Sequence, residues 1–331
     1  MQKKYIIAII MGFLGVSLVT ASLIVVYSHP TRDNPLDRIV HEYFETNSNE
    51  VVFEIMDGIS NLGDAFVYVG ILAILYYAWD KRKSYRSMVF VLTAAVTNDI
   101  AKNAFRLDRP YPEEANYGMP SGHAQSSTAF WGILATLIRK WWMIVISVLL
   151  ALLISFSRIY MSSHWLTDVM VGLGISFILL AVYIAVKDPV EEHVKKQKDF
   201  IKLLYVFAVF IVFTIPIILF HYNQGEAAVE SMFDALNFVA FFVSLSVAYI
   251  FEERIVNYDN VVDKKWKYVV RALFGLAVAG IFYGYTEIID ELGDEGAIAP
   301  VVTFVVNLIA YSLLGPFIIL LAPWIIKKLK V

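Results

Sequence analysis

Between Lys102 and Asp168 three cations, a serine, two imidazoles and a carboxylate stand at short spacings. Lys102 is followed seven residues later by Arg109 with Pro110 behind it. Pro120-Ser121-Gly122-His123 comes next. Ser157-Arg158 then leads to His164, and Asp168 follows His164 by four. Fixed cations match phosphoryl oxygens. An imidazole whose Nδ1–H is taken by a carboxylate presents its Nε2 as a nucleophile. Pro-Ser-Gly-His ahead of a helix offers backbone N–H groups and a hydroxyl to an anion. The set suits one task above others: holding a phosphate and moving it onto a nitrogen. Each piece also has a plainer use. Lys102 can snorkel to the membrane interface, Ser121 can cap a helix, and His164 with Asp168 can be a satisfied pair at a helix start. Their concentration in one stretch favours the chemical use.

A metal is the rival use of the histidines. The chain has six, and His29, His41, His193 and His221 are scattered over connecting segments without an HExxH pattern. Three cations nearby would also repel a divalent ion. No metal or other cofactor is expected.

The elements that must position these groups are membrane helices. Of 331 residues 59% are hydrophobic and 17% charged, with a mean hydropathy of +0.64. Soluble chains run at about 45–50% apolar and about 25% charged. The fold class expected is therefore an all-α polytopic membrane protein. The lack of cysteine excludes disulfides, thiolate metal sites and a cysteine nucleophile. A net charge of -3 gives no reason to expect a nucleic-acid partner; the expected partners are the bilayer and a membrane lipid.

Ten apolar stretches follow one another, at about 5–27, 64–79, 87–104, 124–138, 142–158, 165–186, 200–220, 233–251, 268–289 and 300–326. The first is too long for the apolar region of a cleaved signal peptide and reads as a retained helix. Residues 28–50 are polar. Val52, Ile55, Met56 and Ile59 have the spacing of a short helix on the membrane surface. Residues 107–122 read as a loop. Lys187 to Asp199 forms a charged connector, giving a catalytic domain over 1–187, a connector over 188–199 and a C-terminal region over 200–331. Ten spans put both termini on one side. All but six of the 27 Lys and Arg fall on that side; the exceptions are Arg32, Arg38, Lys102, Arg106, Arg109 and Arg158. The positive-inside rule then places the termini in the cytoplasm and all three motifs at the outer face of the cell membrane.

Lys102-x6-Arg109-Pro110, Pro120-Ser121-Gly122-His123 and Ser157-Arg158-x5-His164-x3-Asp168 resemble the three signature motifs of the type 2 phosphatidic acid phosphatase (PAP2) superfamily. No signature position departs from the pattern. The resemblance covers about residues 1–187, a six-span core. It implies a metal-independent phosphatase acting through a phosphohistidine. His164 would be the nucleophile, Asp168 its orienting partner and His123 the acid for the departing oxygen. Lys102, Arg109, Arg158, Ser121 and the Gly122 amide would hold the phosphoryl oxygens. The outward position suggests a lipid phosphate or pyrophosphate: an isoprenyl pyrophosphate, phosphatidylglycerol phosphate or phosphatidic acid. The vanadium haloperoxidases resemble the same motifs, but ten spans argue against a soluble enzyme. A lipid transporter using the cations only for headgroup binding is the reading from another functional class; it has no need of the His–Asp pair.

The last four spans carry no second copy of the motifs. Gly280-x3-Gly284 is a weak helix-contact motif, and Asp290, Glu291, Asp294 and Glu295 read as an acidic outer loop. Lipid entry, a homo-oligomer contact and transport are the roles open to them.

Overall fold

The computed structural model describes residues 2–29, 34–111, 117–221, 226–294 and 299–331. Among these the chain is all-helical: α1 (Gln2–Tyr27), α2 (Pro35–Asn47), α3 (Glu50–Asn61), α4 (Ala65–Ala78), α5 (Lys81–Phe105), α6 (Gly122–Ile138) and α7 (Trp141–Tyr160) are followed by α8 (Leu166–Lys195), α9 (Asp199–His221), α10 (Glu226–Ile255), α11 (Trp266–Asp294), α12 (Pro300–Pro316) and, after a π-turn over Phe317–Leu321, α13 (Ala322–Lys328). Seven helical stretches are long and apolar enough to cross a membrane, and α3 with α4, bent by 43° at their junction, can form an eighth. The other two apolar stretches are helical but fall outside this group. The 17-residue α6 is short, and α5 begins Lys81-Arg82-Lys83 and ends in polar residues. Many apolar side chains face outward, among them Phe13, Trp141 and Leu219, as bilayer contact requires.

Several local expectations need correction. Residues 35–47 form a helix where only a polar segment was expected. Asn34 caps it, accepting from Asp37 N–H at 2.8 Å, with Pro35 in the first turn. The charged connector is itself helical through Lys195, because α8 runs on past Pro189. Asp290, Glu291 and Asp294 lie in the last turns of α11 rather than in a loop. Arg32, residues 112–116 of the expected loop, and Glu295 lie outside the described residues.

The chain divides into two compact units, Met1–Val67 with Thr93–Lys195, and Tyr68–Leu92 with Lys196–Val331. In the first, α1 packs along α8, and α6 packs on both α7 and α8. Small residues allow the closest crossing: a Cβ on Gly15 would stand 2.6 Å from the Gly174 carbonyl, and one on Gly174 would stand 2.8 Å from that of Gly15. The short α2 and α3 lie against α7. Val26, Met119 and Val171 form a buried cluster that holds Phe105, Leu107 and Met119 against α1 and α8.

In the second unit α10 packs on α9 and α12. Polar bonds tie the α4–α5 hairpin to the end of α10 and the chain after it. Lys81 Nζ meets Glu252 Oε2 at 2.6 Å, and Tyr258 N–H donates to Glu252 Oε1 at 2.7 Å. Asn260 Oδ1 accepts from Lys81 N–H at 2.9 Å, while its amide nitrogen donates to Tyr76 O at 2.8 Å. Glu252 is wholly buried, whereas the neighbouring Arg82–Glu253 pair is exposed. Removing one partner of a buried pair costs about 3–5 kcal/mol and an exposed pair about 0–1 kcal/mol. Lys81→Met should therefore lower the melting temperature of the detergent-purified protein sharply, and Arg82→Met should leave it nearly unchanged.

Candidate active site

All eight expected site residues belong to the first unit; four helix ends deliver seven of them, and Arg109 lies in the non-helical segment after α5. Lys102 lies in the last turn of α5, which closes at Arg106 in a left-handed conformation (φ 54°). Ser121 sits at the N-cap of α6, with Gly122 and His123 as its first two helical residues. Arg158 lies in the last turn of α7. The chain then turns back sharply at Ser162 (φ 54°). The Arg158 carbonyl accepts from Ser163 N–H at 3.1 Å and His164 N–H at 3.3 Å, so the motif folds onto itself. Because of that turn α8 starts at Leu166, and His164 stands just ahead of the helix rather than within its first turn.

One backbone bond joins two of these ends: Ser121 N–H donates to the Asp168 carbonyl at 3.0 Å. The approach of α8 to α6 is equally close at Gly172, where a Cβ would stand 2.7 Å from Ser121 O. A buried amide pair fixes the C-terminal half of α5 to α6. Asn98 Nδ2 donates to Gln125 Oε1 at 2.9 Å, and Gln125 Nε2 donates to Ala94 O at 2.9 Å.

The two imidazoles have different surroundings. His164 is 4% exposed, and its Nδ1 stands 3.4 Å from Asp168 Oδ2, longer than a formed hydrogen bond. That carboxylate oxygen accepts from Trp165 N–H at 3.1 Å. Burial lowers the His164 pKa to about 4, assisted by the charges of Arg109 and Lys102 and opposed by Asp168. His123 is more accessible, and its Nε2 meets Asp64 Oδ1 at 3.0 Å. Its pKa is also lowered, first by burial and then by the Arg158 guanidinium, with Asp64 acting in the opposite direction and Lys102 lowering it further. Lys102 thus bears on both imidazoles, Arg109 on one and Arg158 on the other.

Ser121 does not cap α6 through its side chain; its hydroxyl is buried and has no hydrogen-bond partner among the described residues. A buried hydroxyl in that state is a donor for an incoming oxygen. Gly118 leaves room for the carboxylate: a Cβ there would stand 2.8 Å from Asp168 Oδ2. The arrangement brings together a buried neutral imidazole, a second and more accessible imidazole, and cations and donors suited to an anion.

Three contributors escaped the sequence reading. Ser60, at the end of α3, accepts from Arg158 Nη1 at 2.7 Å. Asp64 meets His123 as described. Asp37, in the first turn of α2 and 1% exposed, accepts from Thr167 N–H at 2.9 Å, Thr167 Oγ1–H at 2.6 Å and Asn34 Nδ2–H at 2.7 Å. Thr167 lies between His164 and Asp168, so Asp37 fixes the start of α8. Asn34-Pro35-Leu36-Asp37 has the form of a capping box, which marks a helix start but not its distant partner. Outer partners that orient metal-ligating side chains are typically worth about 10–100-fold in activity, and a loss of that order is expected for a carboxylate that orients the start of α8. Asp37→Ala should lower kcat by that factor, measured on protein that still elutes as a folded species.

Two family models match the chain: the PAP2 superfamily over residues 84–190, and the transmembrane extension of PAP2 superfamily phosphatases over 236–331. The chain is 30% identical over 149 residues to an undecaprenyl-diphosphatase of Sulfolobus acidocaldarius, covering 40% of this chain and 71% of that one. It is 24% identical over 147 residues to phosphatidylglycerophosphatase B of Bacillus subtilis, covering 38% and 70%. It is 27% identical over 136 residues to sphingosine-1-phosphate phosphatase 2 of Mus musculus, covering 37% of this chain and 38% of that protein's length. Among solved structures, a transmembrane PAP2-type phosphatidylglycerolphosphate phosphatase from Bacillus subtilis matches 56% of this chain and all of its own, at 22% identity and a TM-score of 0.44. With its motif-bearing segment and its C-terminal helices both matched, the chain belongs to the PAP2 superfamily of membrane phosphatases.

Proposed function

We propose that the protein hydrolyses a lipid phosphate or pyrophosphate at the extracytoplasmic membrane face, without a metal, through a phosphohistidine on His164. The observation that carries this reading is the unequal pair of imidazoles: one buried, neutral and set beside a carboxylate, the other partly exposed and near three charged groups. Nε2 of His164 attacks phosphorus, and the bond from phosphorus to the lipid-side oxygen breaks. His123 gives that oxygen its proton. Water then attacks the phosphohistidine, His123 takes a proton from it, and free phosphate leaves. Lys102, Arg109, Arg158, the Ser121 hydroxyl and the Gly122 N–H bind the phosphoryl oxygens as charge redistributes. Asp168 keeps the His164 ring oriented.

The relatives support a lipid substrate: by name they act on undecaprenyl diphosphate, phosphatidylglycerophosphate and sphingosine-1-phosphate. These share a terminal phosphate on a membrane-bound chain, the chemistry expected at helix ends near the lipid headgroups. The distribution of Lys and Arg supports the outer face and cytoplasmic termini.

Phosphate release from detergent-solubilised protein should be measured on isoprenyl diphosphate, phosphatidylglycerol phosphate and phosphatidic acid with a chelator present. Turnover should persist in the chelator, fall about a thousandfold or more in His164→Ala and fall about 100–1,000-fold in Ser121→Ala. No release from any of the three would defeat the reading. The profile of kcat/KM should be a bell, because the free enzyme needs His164 neutral and His123 protonated. Its acid limb reports His164 at about pH 4. Its alkaline limb reports His123, which is held below its ordinary value of 6.5, so the optimum lies on the acid side of neutrality.

The absence of native cysteine makes topology directly testable. In intact cells a membrane-impermeant maleimide should label Thr46→Cys, and should label Lys196→Cys only after permeabilisation. The reverse pattern would put the site in the cytoplasm.

A further inference from the structure

The bend between α3 and α4 lies outside all three motifs, yet it touches two of their residues. Ser60 Oγ accepts from Arg158 Nη1 at 2.7 Å. Gly63 passes so close to the acid imidazole that a Cβ there would stand 2.9 Å from His123 Cδ2 and 2.8 Å from Ile154 Cγ2. The next residue, Asp64, brings its carboxylate to His123 Nε2 at 3.0 Å. The bend is held by Gly63 N–H donating to Ser60 O at 2.7 Å and Leu62 N–H to Ile59 O at 3.1 Å, which fixes the Ser60 and Asp64 side chains relative to one another.

We propose that Asp64 is a positioning residue for the acid step: it accepts from His123 Nε2–H, holds the imidazolium form and leaves Nδ1–H to serve the departing oxygen. This rests on the phosphatase reading above. The site then contains two His–Asp pairs of opposite sense. In one, Asp168 faces Nδ1 of His164 and Nε2 has no partner among the described residues; in the other, Asp64 faces Nε2 of His123 and Nδ1 has no partner among them.

The electrostatic need for such a partner is visible around His123. Arg158 from α7 and Lys102 from α5 both disfavour its charged form, as does burial, and Asp64 from the bend is the group opposing them. An acid surrounded by phosphate-binding cations would otherwise lose its proton too readily to protonate the leaving oxygen. Asp64 is also half exposed, with 48% of its side chain accessible. Its removal leaves no buried unpaired charge, so a purely structural role predicts little change on substitution.

The test compares wild type, Asp64→Asn and Asp64→Glu in detergent, with dioleoyl phosphatidic acid in mixed micelles as substrate. In Asp64→Asn the alkaline limb of kcat/KM should move to lower pH. Activity at pH 7.5 should fall about tenfold while activity at pH 5 falls less than about threefold. Asp64→Glu should recover most of the loss, and the melting temperatures should agree. A profile scaled uniformly at every pH, or one left unchanged, would overturn the proposal. A second readout does not depend on turnover. The pH dependence of diethylpyrocarbonate modification at His123, followed by peptide mass spectrometry, should extend to lower pH in Asp64→Asn. Identical reactivity profiles in the two proteins would likewise overturn the assignment of Asp64. Wild-type protein inactive on the whole lipid panel defeats the phosphatase reading instead, and the modification profile then still decides whether Asp64 sustains the charge of His123.

Discussion

The bond from Ser121 N–H to the Asp168 carbonyl is the constraint on which the site depends. It joins the start of α6, which carries His123, to the start of α8, just behind His164, and so couples the proposed acid to the proposed nucleophile through backbone rather than through mobile side chains. Around it the first unit is built for close approach. Gly172 lets α8 meet Ser121, Gly15 and Gly174 let α1 lie against α8, and the Asn98–Gln125 amide pair sets α5 beside α6. Phosphoryl transfer depends on in-line positioning and on charge placed where the transition state needs it. A frame of directly hydrogen-bonded helix ends supplies the positioning.

The electrostatics follow from where those ends meet. The three cations proposed to hold a phosphate also act on the two histidines. For His164, burial and cations favour the neutral form that the proposed attack requires. For His123 the same surroundings oppose the protonated form that the proposed acid step requires, and Asp64 acts in the opposite direction. On the proposed mechanism two identical side chains thus take opposite roles from a few neighbours each, and an arriving phosphate, itself an anion, would add to the stabilisation of the protonated ring.

The motif residues were legible in the sequence because each carries its own chemistry and each motif is short. Lys102, Arg109, Ser121, Gly122, His123, Arg158, His164 and Asp168 need no knowledge of distant contacts to be singled out. Their supports do. Asp37 meets a residue 130 positions away, Ser60 one 98 away and Asp64 one 59 away. Nothing local distinguishes these from ordinary polar residues at helix ends. The helical class was legible from hydropathy, whereas α2 was not, because a short amphipathic helix in a polar segment has no apolar run to announce it. The start of α8 at Leu166 agrees with the apolar stretch expected from about residue 165, whereas the left-handed turn at Ser162, with the Arg158 carbonyl taking two N–H groups just ahead of it, has no local signal in the sequence. The grouping of the α4–α5 hairpin with the C-terminal helices rests on Lys81 meeting Glu252, 171 residues later.

The central claim is that phosphorus becomes bonded to His164 during turnover. Rapid acid-free quenching of the enzyme with ³²P-labelled lipid phosphate, followed by alkaline peptide mapping, tests it directly. The account predicts an alkali-stable, acid-labile label on the peptide containing His164, absent when His164 is replaced by alanine. Rapid turnover with no protein-bound phosphate at any quench time, or label on the His123 peptide instead, would contradict it.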